Sequence, residues 1–197
     1  MDPFVSLEEF GTYLRKDVTG DELAALALDA ACQTVRSYLD RQINSAESTV
    51  AIDGSGTDTV LLPEWPVSAV EAVSVDGEAL AETDDDGEDN WRLGTAGMLH
   101  RVGRLRIWPA GRGNIEVTYT HGFGGADPAY DEDDVPADIR LVAMLVAKRV
   151  YAGAGATATL KQETIGNYSY TLGDAEATTG GLTDGEMRAL SRYRRTA

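Results

Sequence analysis

Val135-Pro136-Ala137-Asp138-Ile139-Arg140-Leu141-Val142-Ala143-Met144-Leu145-Val146-Ala147-Lys148-Arg149-Val150 follows a long strand-like segment and is apolar on almost every side until Lys148 and Arg149. Pro136 suits a first helical turn, where its missing N–H would have had no partner. Asp134 and Asp138 lie where the positive end of a helix dipole favours carboxylates. A helix this apolar has to be central, within a bundle or between subunits. Helix also precedes the strand-like segment, so the chain reads as α+β. Its expected parts are a helical bundle core (1–46 and 134–152), an inserted small antiparallel β module with acidic loops (47–133), and a β-hairpin with a C-terminal helical arm (153–197).

Upstream, two helices are expected, opened by Ser6 with Glu9 and by Thr19 with Glu22. Both pairs have the capping-box spacing, in which hydroxyl and carboxylate satisfy backbone N–H groups that the first turn leaves unpaired. From Leu23 to Ile43, Leu28, Ala31, Val35 and Leu39 recur at helical spacing, flanked by Leu26, Ala27, Ala30 and Tyr38. The stripe is wide enough for more than one neighbour. Cys32 lies within it and reads as a small buried apolar side chain; a single cysteine excludes an intramolecular disulfide.

After Asn44-Ser45 come β-branched runs: Thr49–Ile52, Thr59–Leu62, Ala69–Val75, Trp91–Leu93, Leu105–Trp108 and Ile115–Thr120. Asp53-Gly54, Asp76-Gly77 and Gly111–Asn114 supply turns, and Pro63 and Pro66 interrupt the ladder around Trp65. Short strands separated by regular turns predict a small antiparallel sheet or sandwich.

Downstream of Val150, Gly166-Asn167 links Lys161–Ile165 to Tyr168–Leu172, which predicts a hairpin. A hairpin alone is marginal in water, so Ile165, Tyr168, Tyr170 and Leu172 are candidate subunit-interface residues. Thr178–Gly181 reads as a flexible link, and Thr183–Arg195 as a short helix. Arg188, Arg192, Arg194 and Arg195 gather around Tyr193 at its end, opposite in sign to the chain. They serve either as cations favoured at a helix C-terminus or as an arm for an acidic partner.

The chain has 197 residues, 33 Asp and Glu against 17 Lys and Arg, and a formal net charge of −16. That balance argues against gripping the phosphate backbone, which requires clustered cations. The Met1-Asp2-Pro3-Phe4 start lacks the basic and apolar regions of a signal peptide, and no apolar run approaches the roughly 20 residues that span a bilayer. Synthesis in the cytoplasm without membrane association is the expectation.

No catalytic constellation is legible. His100 and His121 have no spaced second ligand and read as surface or turn residues; His121-Gly122-Phe123-Gly124-Gly125 lacks the lysine of a phosphate loop. No Gly-x-Ser-x-Gly elbow occurs. The acidic run Glu82–Asn90, with Asp84, Asp85 and Asp86, echoes the start of a calcium loop, but Leu93 stands where the bidentate Glu belongs. It and Asp131–Asp134 read as hydrated loops, with a calcium-dependent binding module as the lesser alternative. No cofactor, metal or catalytic residue is expected.

Three ordered stretches carry a resemblance. They are the helix pair from Leu7-Glu8-Glu9-Phe10 to Tyr38-Leu39-Asp40-Arg41; Leu61-Leu62-Pro63, Pro66–Val70 and Val73–Gly77, closed by Gly113–Gly122 and Val135–Arg140; and Glu163–Tyr170 with Tyr193-Arg194-Arg195. Together they resemble the head-tail connector (adaptor) family of tailed bacteriophages, over most of the chain but not the loop at Asp84–Asp89. The resemblance implies a non-enzymatic subunit, assembled in the bacterial host cytoplasm into a dodecameric ring in the virion neck.

Its implied partners are the portal protein, neighbouring adaptor subunits, and a stopper or tail-terminator protein. Genomic DNA would pass through without specific binding, with Asp84, Asp85 and Asp86 as candidate residues along its path. Arg188, Arg192, Tyr193, Arg194 and Arg195 correspond to the portal-binding arm. A stopper or tail-completion protein is the alternative within the same virion setting.

Overall fold

The computed structural model describes residues 3–83, 90–103, 106–124, 135–154, 162–165, 168–171, 178–179 and 181–194. Helix α1 (Leu7–Leu14) begins with the expected capping box: Ser6 Oγ accepts from Glu9 N at 3.1 Å and Glu9 Oε2 from Ser6 N at 3.0 Å. Helix α2 (Glu22–Leu39) departs from expectation at both ends. Its cap is Asp21, accepting from Ala24 N at 3.1 Å, while the N–H of Thr19 donates to Asp17 instead. A carboxylate at this position also accepts from the Tyr151 hydroxyl at 2.7 Å, a bond that fixes it in place. The helix stops at Asp40, in the left-handed region, rather than at Ile43.

The stripe on α2 is buried as its spacing predicted, with Ala27, Leu28, Ala31, Cys32, Val35 and Leu39 all inside; burial also pushes the Cys32 thiol pKa up. Helix α3 (Ala137–Ala154) packs mainly along α2 and also touches α1. It buries Ile139, Val142, Ala143, Val146 and Ala147 and leaves Leu141 and Val150 exposed.

The chain divides into two compact units, Met1–Arg41 with Pro136–Ala197, and Gln42–Val135. The second contains β1 (Ala46–Gly54), β2 (Thr59–Leu61), β3 (Val67–Val75), β4 (Glu78–Leu80), β5 (Asn90–Leu93), β6 (Met98–Val102) and β7 (Gly111–His121). All pairs are antiparallel, in a four-stranded sheet of order β1-β7-β3-β4 and a three-stranded sheet of order β2-β6-β5. Val73, Ile115, Val117 and Tyr119 from one sheet share a core with Val60, Trp91 and Leu99 from the other, so the module is a small sandwich.

The strands differ from the sequence pattern in several places: β1 starts at Ala46 and runs through Asp53-Gly54, read from sequence as a turn, and β4 and β6 lie outside the expected runs. Arg106–Trp108 carries no strand; the strand of this region is Met98–Val102, and Trp108 instead leaves the ladder to fill the core, its indole N–H donating to Leu99 O at 3.2 Å. Gly111–Asn114 is not a turn but the start of β7, held by a bulged pairing of Gly54 with Gly111. At the other end of β7, Gly122 has φ +92 and brings the chain so close to Asn44 that a Cβ would lie 2.4 Å from its carbonyl oxygen.

In the first unit, β8 (Gln162–Ile165) pairs with β9 (Tyr168–Thr171), the hairpin expected around Gly166-Asn167. Thr178 and Thr179, read from sequence as part of a flexible link, form β10 (Thr178–Thr179) against β11 (Leu182–Thr183). Helix α4 (Asp184–Leu190) follows, continued by a 3-10 turn at Ser191–Tyr193. No described helix is long and apolar enough to cross a membrane. Trp108→Ala, which empties the centre of the sandwich, is expected to destabilise the β unit by about 3–5 kcal/mol, measured as a lower urea midpoint by circular dichroism.

Candidate docking site on the C-terminal segment

Thr183 caps α4 with a second capping box: Glu186 N donates to its hydroxyl at 3.3 Å, and Glu186 Oε2 accepts from Thr183 N at 2.8 Å. The same carboxylate receives Arg149 from α3 in a two-pronged pair, Nη1 to Oε1 at 2.6 Å and Nη2 to Oε2 at 2.8 Å. Arg149 Nη2 also donates to Gly181 O at 2.8 Å. The planar guanidinium thus ties the turn before β11 and the first turn of α4 to α3, a geometry that a lysine could not reproduce. Burial pushes Glu186 up, but hydrogen bonds from Arg149 and Thr183 outweigh it and hold the carboxyl below its ordinary value.

Further contacts seat the rest of the segment. Leu182 and Leu190 are buried, and the Tyr38 hydroxyl donates to Met187 O at 3.0 Å. Asp138, in the first turn of α3, accepts from the Tyr193 hydroxyl at 3.0 Å and pairs with Arg192. Sequence placed Asp138 only as a partner of the helix dipole; its role as the anchor of the C-terminal turn depends on contacts 54 and 55 residues away.

Of the predicted basic cluster, Arg188, Arg192 and Arg194 are exposed, and Arg195 lies outside the described residues. Arg192 remains 66% exposed at its side chain despite its ion pair. Arg194 stands over the Tyr38 ring at 5.5 Å and Arg192 over the Tyr193 ring at 4.7 Å. Arg188 enters no ion pair among the described residues. These three cations stay in water while the carboxylates that orient the segment, Glu186 and Asp138, are partly or fully covered. Such an arrangement can receive an acidic or hydrogen-bond-accepting surface without first breaking the fold.

The other predicted residues fall elsewhere. Ile165 lies on β8 and Tyr168 and Tyr170 on β9; Leu172, Asp84, Asp85 and Asp86 are outside the described residues. The histidines need one correction. His100 is half-buried against Thr59, but His121 is buried at the end of β7, where Nε2 meets Ser48 Oγ at 2.9 Å and burial lowers its pKa. Sequence could not separate a strand end from a turn at His121-Gly122. The Ser48–His121 contact has the spacing of a nucleophile and base, yet nothing described accepts from Nδ1 to orient the ring. No group of three metal-binding side chains occurs among the described residues.

The chain is thus α+β: a helical unit split in sequence by a β-sandwich, with three exposed arginines on its C-terminal segment. The chain belongs to the head completion protein family, which matches residues 3–152. Its fold is similar to solved chains from the neck of an empty gene transfer agent particle computed with C6 symmetry (TM-score 0.57, 19% identity, covering 98% of this chain and 90% of that one) and from the neck of the native particle computed with C12 symmetry (0.56, 18%, 97% and 88%). No curated protein matches the chain.

Two consequences follow for the segment. Glu186→Ala removes the carboxylate that Arg149 grips and half of the capping box, and is expected to cost about 1–3 kcal/mol, read as protease sensitivity after Gly181. Because the folded pKa of Glu186 lies below its ordinary 4.5, its contribution is fully present above that value and is lost as pH falls below it through the folded pKa. Protection of the α4 amides, corrected for the intrinsic exchange rate, should therefore fall as pH drops below 4.5 in the native chain, and much less in Glu186→Gln.

Proposed function

We propose that this chain is a head-to-tail adaptor: a structural, non-enzymatic subunit that forms a ring beneath the portal, joins capsid to tail and surrounds the DNA path in the virion neck. The observation that carries this is family membership over residues 3–152 combined with a fold shared, over nearly the whole of both chains, with subunits of particle necks. The C12 symmetry of one of those necks supports a ring of twelve. Neighbouring copies of this chain are one set of partners, the portal protein lies above, and a stopper or tail-terminator protein lies below.

The charge distribution fits this position. A formal charge of −16 gives a surface that repels DNA, as suits a duct through which genomic DNA passes without specific binding. The exposed cations Arg188, Arg192 and Arg194, with Tyr193 and Arg195, form the portal-binding arm. A stopper or tail-completion protein would occupy the same neck without touching the portal.

Arg188→Ala, Arg194→Ala and Arg195→Ala combined, which spare the Arg192–Asp138 pair, are expected to leave soluble, folded protein that no longer sediments with portal rings. Binding equal to wild type would exclude the C-terminal arm as the portal contact. Neutralising Asp84, Asp85 and Asp86 is expected to slow genome ejection or trap DNA in the neck, and unchanged ejection kinetics would remove the acidic loop from the DNA path.

A further inference from the structure

Strand β1 is an edge. It pairs with β7 on one side, in a continuous register from Ala46 opposite His121 to Ile52 opposite Ile115, and with no described strand on the other. Natural sheets blunt such edges with proline, lysine, bulges or very short strands. The opposite edge of this sheet follows that practice, since β4 is only three residues long. Between Ala46 and Ile52 there is no proline, no lysine and no bulge, and the single charge is Glu47. The backbone groups that point away from β7 can therefore receive another strand.

The faces of β1 state what that strand must carry. Exposure alternates, with Glu47, Thr49 and Ala51 exposed and Ser48, Val50 and Ile52 half-buried. Val50 and Ile52 pack against the sandwich core but remain incompletely covered at the sheet margin. An added strand has to present apolar residues beside Val50 and Ile52 and polar residues beside Thr49.

The β8–β9 hairpin has that pattern. Its register sets Ile165 opposite Tyr168 and Glu163 opposite Tyr170, while Thr164 faces Ser169 and Gln162 faces Thr171. On β9 the aromatic Tyr168 and Tyr170 thus alternate with the hydroxyl residues Ser169 and Thr171; on β8 Ile165 shares the tyrosines' set of positions together with the charged Glu163, and Gln162 and Thr164 take the other, so β9 is the strand that matches the edge. The hairpin pairs with no further described strand, and two strands alone are marginal in water.

We infer that the outer edge of β1 is a strand-addition site for the β8–β9 hairpin of a second copy of this chain. This rests on the ring proposed above and names its subunit contact. Antiparallel pairing of β1 with β1 of another copy would be two-fold and would close as a dimer; a ring needs two different patches on each subunit, one edge and one hairpin. The uninterrupted edge exceeds the four residues of either hairpin strand, so the ladder can form along its whole length.

The test is disulfide trapping in rings assembled on portal and verified by negative-stain imaging. Thr49→Cys is combined in one chain with Thr164→Cys and, separately, with Ser169→Cys; Thr49 is exposed, and Cys32 is fully buried and stays out of the reaction. Oxidation of assembled rings is expected to give covalent oligomers of this chain in at least one pairing. In the wild-type chain, amide exchange across Glu47–Ala51 is expected to slow on assembly. Rings that form normally with no crosslink in either pairing and no slowing would overturn the strand-addition site while leaving the adaptor function standing. A crosslink confined within single chains would overturn the second copy as occupant. Failure of the wild-type chain to form any ring on portal would overturn the adaptor function and this contact with it.

Discussion

Arg149 leaves the last turns of α3 and grips the carboxylate of Glu186 with two hydrogen bonds, while that carboxylate also closes the capping box on Thr183. A single side chain thereby starts α4 and fixes it to the helix that returns after the β insertion. The constraint is propagated at the far end of the segment by Asp138, which holds Arg192 and Tyr193 near the first turn of the same helix. With α3 gripping the segment at both ends, the cations at Arg188, Arg192 and Arg194 become a fixed surface instead of a loose tail. Preorganisation of this kind lowers the ordering cost of docking.

Local signals in the sequence were reliable where one physical demand dominated. Ser6 and Glu9 cap α1 because hydroxyl and carboxylate spaced by three residues have few better uses. The α2 stripe is buried because its spacing leaves one continuous face to cover. The hairpin follows from Gly166-Asn167 between alternating runs. Thr19 failed as a cap because Asp21, two residues on, combines a stronger acceptor with a bond from Tyr151, 130 residues away.

The other departures have the same origin in distant contacts. Leu105–Trp108 has strand composition, yet the large Trp108 ring is worth more inside the core than along a ladder. His121 is buried because β7 runs on to the sheet margin, where Ser48 meets it across the strands. The basic cluster is legible in the sequence, but the way it is seated is not, since nothing local links Glu186 to Arg149 or Asp138 to Arg192. Asp138 and Arg149 stand within the apolar helix pattern and show no sign of their roles there.

Family membership, the neck-like fold and an acidic body with a basic face agree on a part that works by assembly. The proposed ring on the portal is tested by mixing the full chain with portal from the same virion, following mass by light scattering and imaging the product by negative stain. The expected product is a new ring of subunits on the tail-facing end of the portal. Protein that stays free of portal while binding another neck component would contradict it and assign the chain to the stopper position.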